Sequence, residues 1–314
     1  MEGSILLRRL MLLVPVLFGM SVMSFLLIHL VPGDVVTTIA GAEIAPDSEE
    51  AQNIRRSLNL DKPLVTQYLL WIFGVVRGDL GYSLIGKVSV AGEILSHLPV
   101  TLVLTAMALG ISVVVGIPAG VLASNRRGRI SDVLLRIASL AGMAVPTFFA
   151  SVSAILFFSL FAPSVRLFNT IDFGEDPWAG ITTLFLPACI LSLSSASTIM
   201  RYTRGAMLEV MREQHIQTAR AKGAGPLRIL LRHGLRSALL PVVTASGLIA
   251  AHLISGVVVV EEVFGLPGMG QLMLSAISTR DYTLVQGTVL TIGAMVVLIN
   301  LVVDLTYHLL DPRI

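Results

Sequence analysis

Charged side chains are scarce in this 314-residue chain, where Asp, Glu, Lys and Arg together make up 13% of the residues. A typical soluble domain is about 25% charged. The chain is also 54% hydrophobic, so its composition indicates a membrane protein in contact with the lipid bilayer. The net charge is only +2, and the bases are divided among short loops. This charge pattern does not indicate a nucleic-acid partner.

Residues for catalysis or metal binding are also missing. The single cysteine, Cys189, excludes an internal disulfide and a cysteine metal cluster. The chain contains no HExxH zinc pair and no GxSxG nucleophile elbow, and its six histidines lack metal-ligand spacing. Residues 81–88 come within one residue of a phosphate-binding loop, but Val88 lacks the hydroxyl that would hold Mg²⁺. We therefore predict no catalytic, cofactor or metal site, and any ATP energy must come from another polypeptide.

Long apolar runs are the chief feature that is present, and they predict an all-α polytopic membrane protein. A run of about 20 apolar residues suffices to span a bilayer. Six spans are predicted, at about residues 10–31, 99–123, 134–161, 184–203, 239–260 and 284–305. The first is expected to be an uncleaved helix, because its apolar core is too long for a signal peptide. Within the long loop 32–98, residues 47–58 predict a short polar helix, and residues 64–76 predict an apolar helix lying flat at the membrane interface.

Two groups of polar residues fall inside the predicted spans. The fourth span carries Ser192, Ser194 and Ser195, which predicts that it faces protein or a wet cavity. Hydrogen bonding between helices and lining of a transport pathway are both open for these serines. His252, in the fifth span, could line a pathway or bond to a neighbouring helix. Gly116 and Gly120 in the second span have the spacing that lets two helices pack closely.

A basic segment separates the fourth and fifth spans. With Arg201 and Arg204 it carries eight of the 22 Lys and Arg residues. Residues 208–222 predict a helix that ends at Gly223, and Pro226 predicts the start of a second helix. That second helix would carry Arg228, Arg232 and Arg236 as a stripe. The predicted loop 204–238 would therefore protrude from the membrane, where it suits docking to a soluble partner.

The sequence HIQTARAKGAGPLRILLRHGLRSALLPVVT, which begins at His215, resembles the cytoplasmic loop of binding-protein-dependent ABC importer permeases of the peptide and nickel branch. In that family the loop contains the EAA motif, whose short helix sits in a groove of the ATP-hydrolysing subunit. Gln217, Thr218 and Ala219 fall where the wider family has Glu-Ala-Ala, and Gly223 matches the motif glycine. The acid is thus replaced by Gln217, and Arg236 stands where the wider family has proline; both departures fit the peptide branch. The resemblance implies a docking set of Gln217, Thr218, Ala219, Arg220, Ala221, Lys222 and Gly223.

Sequence segments that resemble the same branch occur along nearly the whole chain. The resemblance implies a type I ABC importer transmembrane domain that takes up small peptides, nickel complexes, glutathione or another small solute. It also implies as partners a second permease, two ATPase subunits that hold ATP and Mg²⁺, and an external binding protein. An ion-coupled secondary transporter is the distant alternative, disfavoured because the spans lack ionisable residues at their centres.

The distribution of bases predicts the orientation in the bacterial inner membrane. With both termini inside, 15 Lys and Arg residues lie on the cytoplasmic side and seven outside, five of these seven in the long first loop. Short cytoplasmic loops are enriched in Lys and Arg. We therefore predict that both termini and the loop 204–238 are cytoplasmic and that the loop 32–98 is external.

Overall fold

The computed structural model describes residues 2–30, 48, 49, 52, 55, 56, 61–83, 85–162, 173 and 176–310. In the first and last helices it describes the side chains of residues 11, 13–26 and 282–302 only. Most of the polar helix predicted at 47–58 lies outside these residues. Asp172 and Glu175, in the loop predicted between the third and fourth spans, also lie outside them.

Ten helices and one hairpin make up the described part of the chain. In order they are α1 (Glu2–Leu30), α2 (Leu64–Val76), β1 (Tyr82–Ser83), β2 (Val88–Ser89), α3 (Val90–Asn125), α4 (Ile130–Ala144), α5 (Thr147–Phe161), α6 (Pro177–Val210), α7 (Gln214–Ala221), α8 (Pro226–Phe264), α9 (Met269–Ser278) and α10 (Tyr282–Leu310). Within α8 the turns over Ile229–Leu235 are π-helical. The strands pair antiparallel, Tyr82 opposite Ser89 and Ser83 opposite Val88, where sequence reasoning had found no strand.

Four helices in the described part are long and apolar enough to cross a membrane, and a bent pair would make five. The four are α3, α6, α8 and residues 282–302 of α10. A helix forms at the first predicted span, although its described apolar stretch covers only Leu13–Leu26. The predicted class, an all-α membrane protein, is therefore confirmed, and the count of six spans stays a prediction. The helix predicted at residues 64–76 has those bounds.

The predicted third span is not one continuous helix. The structure replaces the single segment 134–161 by α4 and α5, whose axes differ by 100°. The break lies at Val145 and Pro146, both with extended backbone. Proline removes a backbone donor and pushes the preceding residue out of the helical region, so the helix ends before Pro146 and restarts after it.

Two further boundaries differ from the prediction. The helix predicted at 208–222 is wrong, because α6 ends at Val210 and α7 begins at Gln214. The fourth span, predicted at about residues 184–203, belongs to a longer helix that begins at Pro177. Asp176 caps this helix, and its Oδ1 accepts hydrogen bonds from the backbone N–H groups of Trp178 (3.1 Å) and Ala179 (3.0 Å).

The chain divides into two units. Unit 1 comprises residues 1–99 and 268–297, and its buried core contains Val90, Ile94, Met269, Leu272, Ala276 and Leu284. The aromatic rings of α1 and α2 also meet there, with Phe25 and Tyr68 centred 5.5 Å apart. Asp281 begins α10 by accepting a bond from the Leu284 N–H (3.2 Å) and another from the Ser83 hydroxyl. These contacts hold the hairpin against the start of α10.

Unit 2, residues 100–267 and 298–314, contains the helices that carry the predicted functional residues. One buried cluster lies among α3, α6 and α8 and includes Leu104, Leu184, Leu253 and Val257. Gly116 and Gly120 let α3 approach α6. A Cβ at Gly116 would lie 2.7 Å from the Ala196 carbonyl oxygen, and one at Gly120 would lie 2.6 Å from that of Met200. The predicted packing role of the two glycines is therefore confirmed.

Candidate functional site

The segment predicted to dock a partner forms α7, a two-turn helix fixed to the ends of three longer ones. Its anchor is Ile216, which is fully buried. Ile216 belongs to a cluster that also includes Val121 of α3, Met207 and Val210 of α6, and Ile229 and Ala238 of α8. Removing a side chain of this size from water stabilises packing by about 1.5–3 kcal/mol. A short helix that would be marginal alone is thereby held in one position relative to α3, α6 and α8.

The carboxyl end of α7 forms a Schellman motif. The Gly223 N–H donates to the Arg220 carbonyl (2.9 Å), and the Ala224 N–H donates to the Ala219 carbonyl (3.1 Å). This pattern requires a left-handed residue after the helix cap, and Gly223 has φ +80°. Glycine adopts that conformation without the steric cost of a Cβ. The predictions that one helix ends at Gly223 and another begins at Pro226 are therefore confirmed.

Most of the predicted docking residues are exposed. Gln217, Thr218, Arg220, Ala221, Lys222 and Gly223 all reach solvent. Ala219 differs, being half-buried on the side of α7 that carries Ile216. Thr218 directs its hydroxyl back to the Gln214 carbonyl (3.0 Å). The outer face of α7 thus presents small and basic side chains.

The first part of α8 adds to this basic surface. Arg228, Arg232 and Arg236 are exposed, as predicted, although the turns between them are π-helical. Among the described residues none of these arginines forms an ion pair. Just before α7, the Glu213 carboxylate lies 3.0 Å from Nδ1 of His215, and both side chains are exposed. Such a surface suits a soluble partner that carries acidic groups.

The four predicted pathway residues fall into two environments. Ser192 and Ser195 are buried, 3% and 8% exposed, and Ser192 donates to the Cys189 carbonyl (2.7 Å). Ser194 and His252 are exposed. The expected hydrogen bond between His252 and a neighbouring helix is absent from the part of the chain that the structure describes. The four residues therefore do not form one site.

A buried ion pair between α4 and α6 was not predicted. Asp132, in the first turn of α4, is 1% exposed. Its carboxylate accepts two bonds from the Arg204 guanidinium of α6, at 2.8 and 3.0 Å, and a third from the Gly128 N–H at 3.0 Å. The pair links α4, the preceding basic turn and the helix that leads to α7. No pattern in the sequence connects positions 72 residues apart.

Metal ligands are not grouped anywhere in the described ranges, where no three His, Cys, Asp or Glu side chains could hold an ion together. The hairpin at 82–89 also differs from the strand, loop and helix that a phosphate-binding loop needs.

Comparison with known proteins identifies the family. Residues 116–314 match the family described as binding-protein-dependent transport system inner membrane component, and residues 3–105 match its amino-terminal counterpart. The chain belongs to this family. Members of this family are the membrane permease components of transport systems, which confirms the prediction of a permease rather than an enzyme. The family and the apolar helices also confirm the prediction of a multi-pass inner membrane protein.

Relatives of this inner membrane component are similar over nearly their whole length. A putative peptide transport system permease protein of Brucella melitensis biotype 1 is 38% identical over 100% of this chain and 99% of its own. A putative peptide permease protein of Brucella ovis and the dipeptide transport system permease protein DppB of Escherichia coli K12 are each 36% identical, over 98% of both chains.

A solved structure shares the fold of this inner membrane component. A chain of the MetNI methionine ABC transporter in an inward-facing conformation matches with a TM-score of 0.54 and 21% identity, over 69% of this chain and 96% of that one. This similarity confirms the predicted fold, an ABC importer transmembrane domain.

Proposed function

We propose that the chain is one of two permease subunits of an ATP-driven importer for small peptides. The observation that carries this proposal is full-length similarity to relatives named for peptide or dipeptide transport. A binding protein outside the cell delivers the solute, and the two permeases form the pathway between them. Nickel complexes and glutathione are the competing cargoes, and the experiment below includes them.

The energy for import enters through α7. Two ATPase subunits hold ATP and Mg²⁺ and receive the exposed face of α7, from Gln217 to Gly223, in a groove. Ile216 supports this role, because its buried side chain ties α7 to the ends of α3, α6 and α8. A displacement of α7 by the ATPase is therefore transmitted to those three helices together.

The chain crosses the membrane six times and has both termini in the cytoplasm. The bases cluster beside α4, in the segment around α7 and in the amino-terminal segment, and cytoplasmic loops carry such an excess. The segment between α6 and α8 then faces the ATPases, and the loop 32–98 faces the binding protein.

The pathway includes the exposed polar faces of α6 and α8. On α6 this face carries the exposed Ser194, the half-buried Thr198 one turn later, and then the exposed Arg201 and Gly205. On α8 the exposed face carries Pro241, Thr244, Leu248, His252 and Ser255. Helical spacing puts each set on a single side. Ser192 and Ser195, which are buried, serve in packing and lie outside the pathway.

Uptake by a reconstituted complex tests the proposal. The chain is purified with the permease, ATPase and binding protein encoded beside it and placed in proteoliposomes with ATP inside. Labelled Gly-Leu should accumulate when the binding protein is outside, and proton and sodium ionophores should not reduce the accumulation. Accumulation that ionophores abolish would indicate an ion-coupled transporter. Uptake of nickel or glutathione without peptide would correct the substrate class.

A further inference from the structure

The carboxyl-terminal half of α6 borders a cleft in unit 2 with a volume of about 540 Å³. Small-molecule sites range from about 300 to 1,000 Å³. The lining residues come from the end of α4, from α6 and from α8, and are Met143, Thr198, Arg201, Tyr202, Gly205, Ala206, Glu209 and Pro241. This cleft is distinct from the outer face of α7.

Two side chains of opposite charge lie at different heights of the cleft wall. Arg201 and Glu209 are both exposed and eight residues apart on α6, a separation of about 12 Å along a helix axis. Neither forms an ion pair with any residue in the described ranges. The Arg201 guanidinium instead has Met143 Sδ at 3.3 Å. The cleft therefore presents one positive and one negative group that do not neutralise each other.

The wall between the two charges is open and partly apolar. Gly205 lies midway, and a Cβ there would meet no atom within 4 Å. Tyr202 is exposed and also lines the cleft, and Met143 and Pro241 supply apolar surface. A ligand in this cleft would therefore have a cation at one end, an unobstructed wall at Gly205 and an anion at the other end.

We propose that this cleft binds a short peptide as a zwitterion, with its carboxylate on Arg201 and its ammonium group on Glu209. A guanidinium recognises a carboxylate through two parallel hydrogen bonds. Extended chain covers about 3.3–3.6 Å per residue, so two or three residues, together with the reach of the two side chains, span the 12 Å. The inference rests on the proposed function and specifies its substrate class as di- and tripeptides with both termini free.

The position of the cleft connects binding to the docking helix. Glu209 lies one residue before the end of α6, and α7 begins at Gln214. A peptide held between Arg201 and Glu209 thus contacts the helix segment that leads directly to the ATPase-docking surface.

Binding to the purified complex without binding protein or nucleotide tests the proposal. The probes are labelled Gly-Leu, its carboxyl-terminal amide and its N-acetyl form, measured by equilibrium dialysis in nanodiscs. The wild type should prefer Gly-Leu to both blocked forms. Arg201→Gln should weaken Gly-Leu binding about tenfold, the loss of one charge-assisted pair, and bind the amide as well as the free acid. The Glu209→Gln variant should bind the N-acetyl form as well as it binds Gly-Leu, but should still prefer Gly-Leu to the amide.

A substitution that fills the cleft provides a second test, and a similar substitution elsewhere in the chain provides its matched control. Gly205→Leu should occupy the cleft and abolish Gly-Leu binding, whereas Gly110→Leu, at an exposed glycine of α3 that also has open space, should not change it. Unchanged discrimination in both charge variants would overturn the site. Loss of the second permease from the Gly205→Leu complex would also overturn it, because the cleft would then be a subunit interface. Peptide uptake by the same complexes is scored separately, so failure of the cleft leaves the proposed function standing.

Discussion

At the scale of single residues, the charge pair between Asp132 and Arg204 forms a buried polar link between α4 and α6. Asp132 is nearly inaccessible to water, and three hydrogen bonds satisfy its carboxylate. Breaking a buried pair leaves an uncompensated charge, which costs about 3–5 kcal/mol. The partly exposed Arg204 guanidinium, 21% accessible, reduces that cost because water still reaches it.

We therefore expect Asp132→Asn to lower the free energy of unfolding by about 2–3 kcal/mol, somewhat less than a fully buried pair would lose. Arg136→Gln provides the control, since its Nε lies 3.6 Å from Asp132 and its side chain is 50% exposed. An exposed pair contributes at most about 1 kcal/mol. Denaturant unfolding of the purified protein measures both. Equal effects of the two substitutions would contradict the assignment of Arg204 as the main partner.

Sequence reasoning was more successful for some residues than for others. Gly223 was predicted to end a helix, and it does so in a left-handed conformation. Glycine adopts that conformation readily, whereas most other residues do not. The serines of α6 were predicted to face protein or a wet cavity, but the sequence did not show which of them are buried. Ser194 and Ser195 are neighbours in the chain and differ in exposure, because neighbouring helices decide which side of α6 is covered.

At the scale of elements, the apolar runs predicted where helices form. They were less successful in predicting the residues at which most of these helices begin and end. The helix at 64–76 follows a proline that starts it, and the structure gives it the predicted bounds. The break between α4 and α5 was not predicted from Pro146, because proline also occurs inside helices, as Pro187 and Pro241 do here. Long helices such as α6 and α8 extend beyond the predicted apolar runs, and the end of α6 and the start of α8 pack around Ile216 of α7 through buried apolar side chains.

The contact between α3 and α6 gives a prediction for Gly120. Gly120→Val would place side-chain atoms against the Met200 carbonyl oxygen and Thr203, where a Cβ already comes within 2.6 Å. Overpacking of this kind costs about 1–3 kcal/mol. Gly110→Val, in the same helix but with nothing within 4 Å, is the matched control. We expect a lower melting temperature for Gly120→Val alone, measured by thermal unfolding in detergent; equal melting temperatures would contradict close packing.

At the scale of the whole molecule, the path of α4 and α5 decides the topology. If this bent pair crosses the membrane once, its two ends lie on opposite sides. Reporter fusions after Arg127 and Leu227 should then report the cytoplasm, and fusions after Glu175 and Arg280 should report the outside. The bases near Arg127 and Leu227 are the reason for this orientation. Reporters at Arg127 and Glu175 on the same side would show that the pair re-enters without crossing.

The central claim is that partner ATPases drive this permease through α7. Gly223→Val forces a β-branched side chain into the left-handed region and should misdirect the end of α7. Gly225→Val is the matched control. It changes a glycine two residues away whose φ (−67°) is accessible to other residues and whose Cβ position is open.

ATP hydrolysis by the reconstituted complex, with and without peptide-loaded binding protein, measures the coupling directly. The complex carrying Gly225→Val should keep the stimulation of hydrolysis by loaded binding protein. The complex carrying Gly223→Val should insert and fold normally but lose that stimulation together with peptide uptake. Equal stimulation in the two variants, with normal uptake in both, would contradict the assignment of α7 as the element that couples ATP hydrolysis to transport.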